Sequence, residues 1–338
     1  MGAGADRLRS LDRGGRRRGA PPWRLRPVPA GLVAAGALAT AACSLEEVTL
    51  VEAEDVVVAE VYVQVGGGGF GENRATAWLH GTLAHGSPLG GPVPGAEVLI
   101  TSARGFTLEL AETDEAICNY DWPEEGNGTC YATSAAFAGE IFPGDLLELE
   151  IALPGGGLIL GSSRVPEAFL MRTPSVSGVS GSCQIQPLTP LELRWTASQG
   201  AWAYVSETLI SGLGEALAPQ GITVEEDPLY LQGVSVSEAD TTIVLPGEFG
   251  VFDRFDLDQG LALALQRGLP AGTRARVVVT AADRNYVNWL RGGNFNPSGL
   301  VKIPSLRGDG TGVFATSVSR SFEVIVPKAG ETSSVPPC

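Results

Sequence analysis

The 338-residue chain carries 23 Lys and Arg against 38 Asp and Glu, a net charge of −15, with 44% apolar and only 18% charged residues. That much apolar material excludes a disordered chain, and the acidic balance argues against nucleic acid, whose phosphates reward Lys and Arg. The 45 Gly and 23 Pro stay below the ~25–30% of low-complexity chains and predict a turn-rich, all-β protein of about two domains.

Charge is unevenly spread. Residues 1–26 hold eight arginines against Asp6 and Asp12, and the apolar stretch Ala30–Ala42 follows. At 1.5 Å per residue that stretch reaches roughly 20 Å, short of a ~30 Å hydrocarbon core. A basic run, a short apolar run and small residues predict a secretory signal peptide over 1–42. Leu38-Ala39-Thr40-Ala41-Ala42-Cys43 resembles the lipobox of bacterial lipoproteins, with Thr40 where those boxes usually carry Leu. The resemblance implies cleavage before Cys43 and acylation of its thiol, making the membrane a partner through a lipid anchor. Ser44 in place of Asp implies the outer membrane, on either its periplasmic or its cell-surface face. Two or three acyl chains, at ~0.8 kcal/mol per buried CH₂, would hold the protein firmly.

Five cysteines are an odd number for an exported chain. With Cys43 lipidated, Cys118, Cys130, Cys183 and Cys338 remain. Cys118 and Cys130 flank a Pro/Gly/Asn turn and are expected to bridge across a hairpin; Cys183 and Cys338 then pair by elimination. No CxxC pattern or Cys/His cluster suggests zinc.

After an acidic tether over 43–55, the first domain is expected over 56–170. Val56–Val65, Thr76–Leu83, Ala96–Thr101, Phe106–Leu110, Tyr131–Phe137, Leu146–Ala152 and Leu158–Leu160 read as short strands. Pro143-Gly144-Asp145 and Pro154–Gly157 separate them as turns. The pattern predicts an antiparallel sandwich. Pro92-Val-Pro-Gly-Ala-Glu-Val-Leu-Ile100 and Phe142-Pro-Gly-Asp-Leu-Leu-Glu-Leu149 resemble the transthyretin-like, carboxypeptidase-regulatory-like β-sandwich. The Ser/Gly/Pro-rich stretch 171–186 reads as a linker.

The second domain is expected over 187–327, ahead of a tail at 328–338. Leu188–Ser198 with Trp195, and Ala201–Glu207 with Tyr204, resemble consecutive core strands of a fibronectin type III domain. Gly268–Asp283 is similar to that family's later corner, with its usual tyrosine replaced near Ala275. Residues 256–267 fit two periods: a helix through Leu257, Leu261 and Leu265, or a strand through Leu261, Leu263 and Leu265. Asn285–Arg291 reads as one or two helical turns. The fold class is therefore all-β, two consecutive antiparallel β-sandwiches after a signal peptide. Together with Asn288–Gly299 and Leu306–Ala315 and its Gly310-x-Gly312-x-Phe314 spacing, the chain resembles a family of Gram-negative outer-membrane lipoproteins of unknown function. That resemblance implies architecture and address, and no chemistry.

Chemistry-bearing motifs are sparse. His80 and His85 have no partner within sequence reach and read as structural or surface residues. Asp253, Asp256 and Asp258 lack the Gly and Glu of a calcium loop. Arg307-Gly308-Asp309 reads as turn chemistry, and the adjacent pairs Glu124-Glu125 and Glu225-Glu226 do not flank a bond as glycosidase carboxylates must. Tyr286, Trp289, Arg291 and Phe295 differ, because they sit in a Gly/Asn/Pro-rich segment suited to a glycan or a protein partner. The alternative is that Trp289 caps the core. The sequence therefore predicts no catalytic residue, no metal and no cofactor, and a non-catalytic binding or assembly module of the cell envelope. Its rival is an envelope hydrolase or carbohydrate-processing or uptake accessory using residues 285–299.

Overall fold

The computed structural model describes residues 55–67, 73–82, 90–118, 127–133, 140–175, 181–235, 237–250, 257–291, 302–328, 330–331 and 334–338. The expected signal peptide and Cys43 lie outside them. The described chain is built of strands, and none of its helices is long and apolar enough to cross a membrane.

The first half follows its period-two pattern. Strands β1 (Val57–Gly67), β2 (Arg74–Gly81), β3 (Glu97–Ser102), β4 (Thr107–Thr113), β5 (Thr129–Ala132), β6 (Leu146–Ala152) and β7 (Leu158–Arg164) follow in chain order, with a helical turn α1 (Glu115–Cys118) after β4. In β6, Leu147, Leu149 and Ile151 are buried while Glu148 and Glu150 are exposed, as alternating side chains require. β4 belongs to two layers: Thr107–Leu110 pairs with β3, and Ala111–Thr113 pairs with β5. Inward residues of both layers, among them Val61, Leu79, Ile100 and Leu149, join one buried cluster. Burying each such side chain stabilises by roughly 1.5–3 kcal/mol. Tyr131 locks the segment before β3, its hydroxyl donating to Val93 O (2.7 Å) and accepting from Ala96 N (3.0 Å). Gly95 supplies the positive φ of 75° that this turn demands.

The second half comprises β8 (Met171–Thr173), β9 (Ser182–Gln184), β10 (Leu191–Trp195), β11 (Ala203–Ser211), β12 (Leu229–Val234), β13 (Thr242–Leu245), β14 (Arg274–Ala282), β15 (Arg307–Gly308) and β16 (Gly310–Ile325). Its helices are α2 (Leu213–Leu217), α3 (Gln259–Gln266) and α4 (Arg284–Arg291). A small sheet runs β13-β10-β8, and the large one runs β12-β11-β14-β16-β1-β2-β5-β4-β3-β6-β7-β15, with β9 beside β16.

The sheets are not wholly antiparallel. All eleven residues of β1 pair in parallel with Gly310–Arg320 of β16, and β9 pairs in parallel with Glu323–Ile325. Parallel neighbours need a long crossover rather than a hairpin, and nearly the whole described chain intervenes between β1 and β16. One sheet therefore continues across the expected boundary, and the stretch read as a linker contributes β8 and β9. Residues 176–180 of that stretch lie outside the described set.

One local ambiguity resolves physically. Asp258 caps α3, its Oδ1 accepting from Gly260 N (2.7 Å) and Leu261 N (3.1 Å), so 259–266 is helical. Leu261 and Leu265 are buried and Leu263 is 49% exposed, as the helical period requires. Tyr204 of β11 accepts from Ser198 N (2.7 Å) through its hydroxyl. The tyrosine ring also meets Trp195 edge-on at 5.2 Å.

Candidate functional site

Three of the four residues singled out in the segment after β14, Tyr286, Trp289 and Arg291, lie on α4. Asp283 closes β14 and caps the helix, its Oδ1 accepting from Tyr286 N (2.8 Å). Asn285 donates to Ser162 O (3.1 Å) and Phe314 O (2.9 Å), tying the helix start to β7 and β16. The eight-residue helix then lays Val287 on Ala203, Val205 and Ala282, and Trp289 on Val313 and Ala315. Tyr286 meets Tyr62 edge-on at 5.7 Å.

Trp289 is only 9% exposed. Lys302 Nζ stands 4.5 Å above its ring and 3.6 Å from Glu60. Glu60 in turn accepts from the Tyr62 hydroxyl at 2.9 Å. Burial, reinforced by the Glu60 carboxylate, holds the Tyr62 phenol well above its ordinary pKa. Tyr286 and Trp289 are thus brought together, with most of the indole engaged in packing. Arg291 closes the helix, and Phe295 lies outside the described residues.

The other candidates are placed as follows. Cys118 bridges Cys130, and Cys183 bridges Cys338; Cys118 lies on α1, one helical turn beyond its strand. His80 sits in β2 with Nδ1 2.9 Å from Gly81 O, and His85 is outside the described set. Arg307 and Gly308, expected as a turn, form strand β15 beside β7, and Asp309 fastens it by accepting from Leu158 N (2.8 Å) through its carboxylate. Glu225, Glu226 and Asp258 line a cleft of about 270 Å³ with Leu229, Leu257 and Leu261. Asp253, Asp256, Glu124 and Glu125 are outside the described residues. Among the described residues, no His, Cys, Asp and Glu group is arranged to hold a metal ion.

Sequence reasoning missed a buried polar cluster. Asp283 Oδ2 is 2.5 Å from Ser163 Oγ, which is 2.8 Å from Thr316 Oγ1, which donates to Arg164 O at 2.9 Å. All three side chains are at most 5% exposed. Burial dominates Asp283 and raises its pKa to about 6, against opposing hydrogen bonds led by Ser163 and Tyr286 N. The available signal was an Asp immediately before a helical pattern, the ordinary mark of an N-cap.

No protein-family model matches the chain, and no curated protein sequence matches it. Among solved structures, it is similar to a DUF4785 family protein from Legionella pneumophila subsp. pneumophila str. Philadelphia 1. That pair shares 9% identity over 55% of this chain and 50% of the other, with a TM-score of 0.19; the match thus spans half of the Legionella chain. The two tandem V-type regions of VCBP3, a v-region-containing chitin binding protein, align at 10% identity over 78% of this chain and 99% of theirs, TM-score 0.17. Neither superposition is close enough to transfer a strand correspondence or an activity.

Proposed function

We propose that the chain is an exported outer-membrane lipoprotein, anchored through lipid on Cys43, that acts as a non-catalytic binding or assembly module of the cell envelope. Its partners are the membrane and either another envelope protein or a glycan. The carrying observation is the cysteine pairing: four of the five cysteines form two disulfides, and the fifth follows the apolar leader directly. Disulfides persist in oxidising compartments outside the cytosol, where a lipoprotein leader would deliver the chain. In this reading the first half is a transthyretin-like sandwich. The second is fibronectin type III-like, supported by the β8-β10-β13 sheet, the β12-β11-β14-β16 order and the Trp195–Tyr204 contact.

The test is metabolic labelling with an alkyne fatty acid followed by membrane fractionation. The wild-type protein should carry label and sediment with outer membranes. Cys43→Ser should lose both label and sedimentation; a labelled or membrane-bound variant would refute the anchor.

A further inference from the structure

The buried cluster joining β7, β16 and α4 poses a problem of proton counting. Three oxygen–oxygen contacts run in series: Asp283 Oδ2 to Ser163 Oγ at 2.5 Å, Ser163 Oγ to Thr316 Oγ1 at 2.8 Å, and Thr316 Oγ1 to Arg164 O at 2.9 Å. Each needs one proton to be a hydrogen bond. Ser163 and Thr316 have one hydroxyl proton apiece, and Arg164 O can only accept. If Thr316 donates to Arg164 O and Ser163 donates to Asp283, the Ser163–Thr316 contact is left as two facing lone pairs. A third proton, on the Asp283 carboxyl, gives every link a donor: Asp283 to Ser163, Ser163 to Thr316, Thr316 to the β7 backbone.

We propose that Asp283 is a proton-controlled latch, whose neutral carboxyl completes a hydrogen-bonded chain fastening β7 of the first half to the start of α4 in the second, and whose ionisation loosens that joint.

The surroundings agree. Asp283 is 5% exposed, and among the described residues no cation is placed against it from the elements packed around it, so only the hydrogen bonds from Ser163 and from the N–H groups of Tyr286, Thr316 and Asn285 oppose its burial. Arg164 of β7 turns its guanidinium to Gly144 O (3.0 Å), and Arg320 of β16 donates to Phe169 O (3.1 Å). On α4, Arg284 lies over the Trp202 ring at 5.0 Å and Tyr286 packs against Tyr62. Arg274 and Arg276 stand at the far end of β14. A buried carboxylate without a counter-ion favours its neutral form. The closed joint keeps its proton up to a pH of about 6, against 3.8 for a free carboxyl. Closure is therefore strongest below pH 3.8 and weakens as pH rises through 6.

The test uses the full chain in detergent, with ¹³C-detected titration of the Asp283 carboxyl and hydrogen exchange of segments 158–165 and 283–290, corrected for intrinsic rates. The wild-type carboxyl should titrate near pH 6, and the opening equilibrium should rise roughly 30-fold from pH 4.5 to 7.5. Asp283→Asn, which stays neutral, should show protection independent of pH. Thr316→Val frees the Ser163 proton for Asp283, so the carboxyl midpoint should fall toward the ordinary range. A wild-type midpoint below 4.5, an Asn variant with the wild-type pH slope, or a Val variant with an unmoved midpoint would each overturn the latch.

Discussion

Gly312 of β16 lies directly opposite Ala59 of β1. Its φ is +127°, and a Cβ there would stand 2.0 Å from Ala59 O. Gly310 is similarly confined, with Val57 O at 2.8 Å and Ile159 Cδ1 at 2.3 Å from the added carbon. The Gly-x-Gly-x-Phe spacing noticed in the sequence thus has a local physical cause: a parallel neighbour's backbone occupies the space of a side chain. Gly312→Ala should cost about 2–4 kcal/mol through backbone strain and overpacking, measured by urea unfolding of the full chain. Gly155, which meets nothing within 4 Å and lacks a positive φ, provides the control; Gly155→Ala should stay within about 0.5 kcal/mol. Equal losses at both positions would remove the close-approach argument. Asp283 shows why a residue's role can be illegible in sequence. An Asp before a helical pattern reads as an N-cap and no more, and its partners Ser163 and Thr316 are far away in the chain.

Elements were legible wherever one period dominated. Most strands of the first half follow from alternation, β5 being the exception with all four residues buried, and residues 285–291 are helical as their pattern allowed. Residues 256–267 were undecidable because Leu261 and Leu265 serve both periods; the Asp258 cap and the exposure of Leu263 decide for helix. Which strands pair is another matter, because a period fixes a strand's faces and leaves its neighbours open. That is why the parallel β1–β16 ladder was invisible. The disulfides were readable by arithmetic, and they differ in the chain they enclose. Cys118 and Cys130 are 12 residues apart, whereas Cys183 and Cys338 are 155 apart. Loop-closure entropy gives about 3 kcal/mol for the short loop and about 5 kcal/mol for the long one. Cys183→Ser should therefore lower the urea midpoint more than Cys118→Ser, and reducing agent should lower the wild-type midpoint below either variant. A larger loss at Cys118 would show that local packing on α1, rather than chain entropy, sets the order.

At the scale of the molecule, β1 is an interior strand whose two neighbours come from different halves. It pairs with β2 over eight positions and with β16 over eleven. β16 in turn joins β14 over nine positions, so one strand closes both halves. Gly161 of β7 admits this closure, since a Cβ there would meet Leu306 at 2.6 Å and Phe314 at 3.1 Å. A fragment ending near residue 175 keeps all of β1–β7 but leaves one whole edge of β1 without hydrogen-bond partners. It also uncovers Val61 and Ile159, which the intact protein buries completely. An open, apolar edge of that length is an aggregation site rather than a surface. Residues 43–175 expressed alone should give a poorly dispersed ¹H–¹⁵N spectrum and no cooperative melt. Mixing them during refolding with residues 176–338 should restore both, because the missing β16 arrives with the second fragment. A well-dispersed spectrum and a sharp transition from 43–175 by itself would show that the first half closes without β16, and that the shared strand couples two bodies already folded.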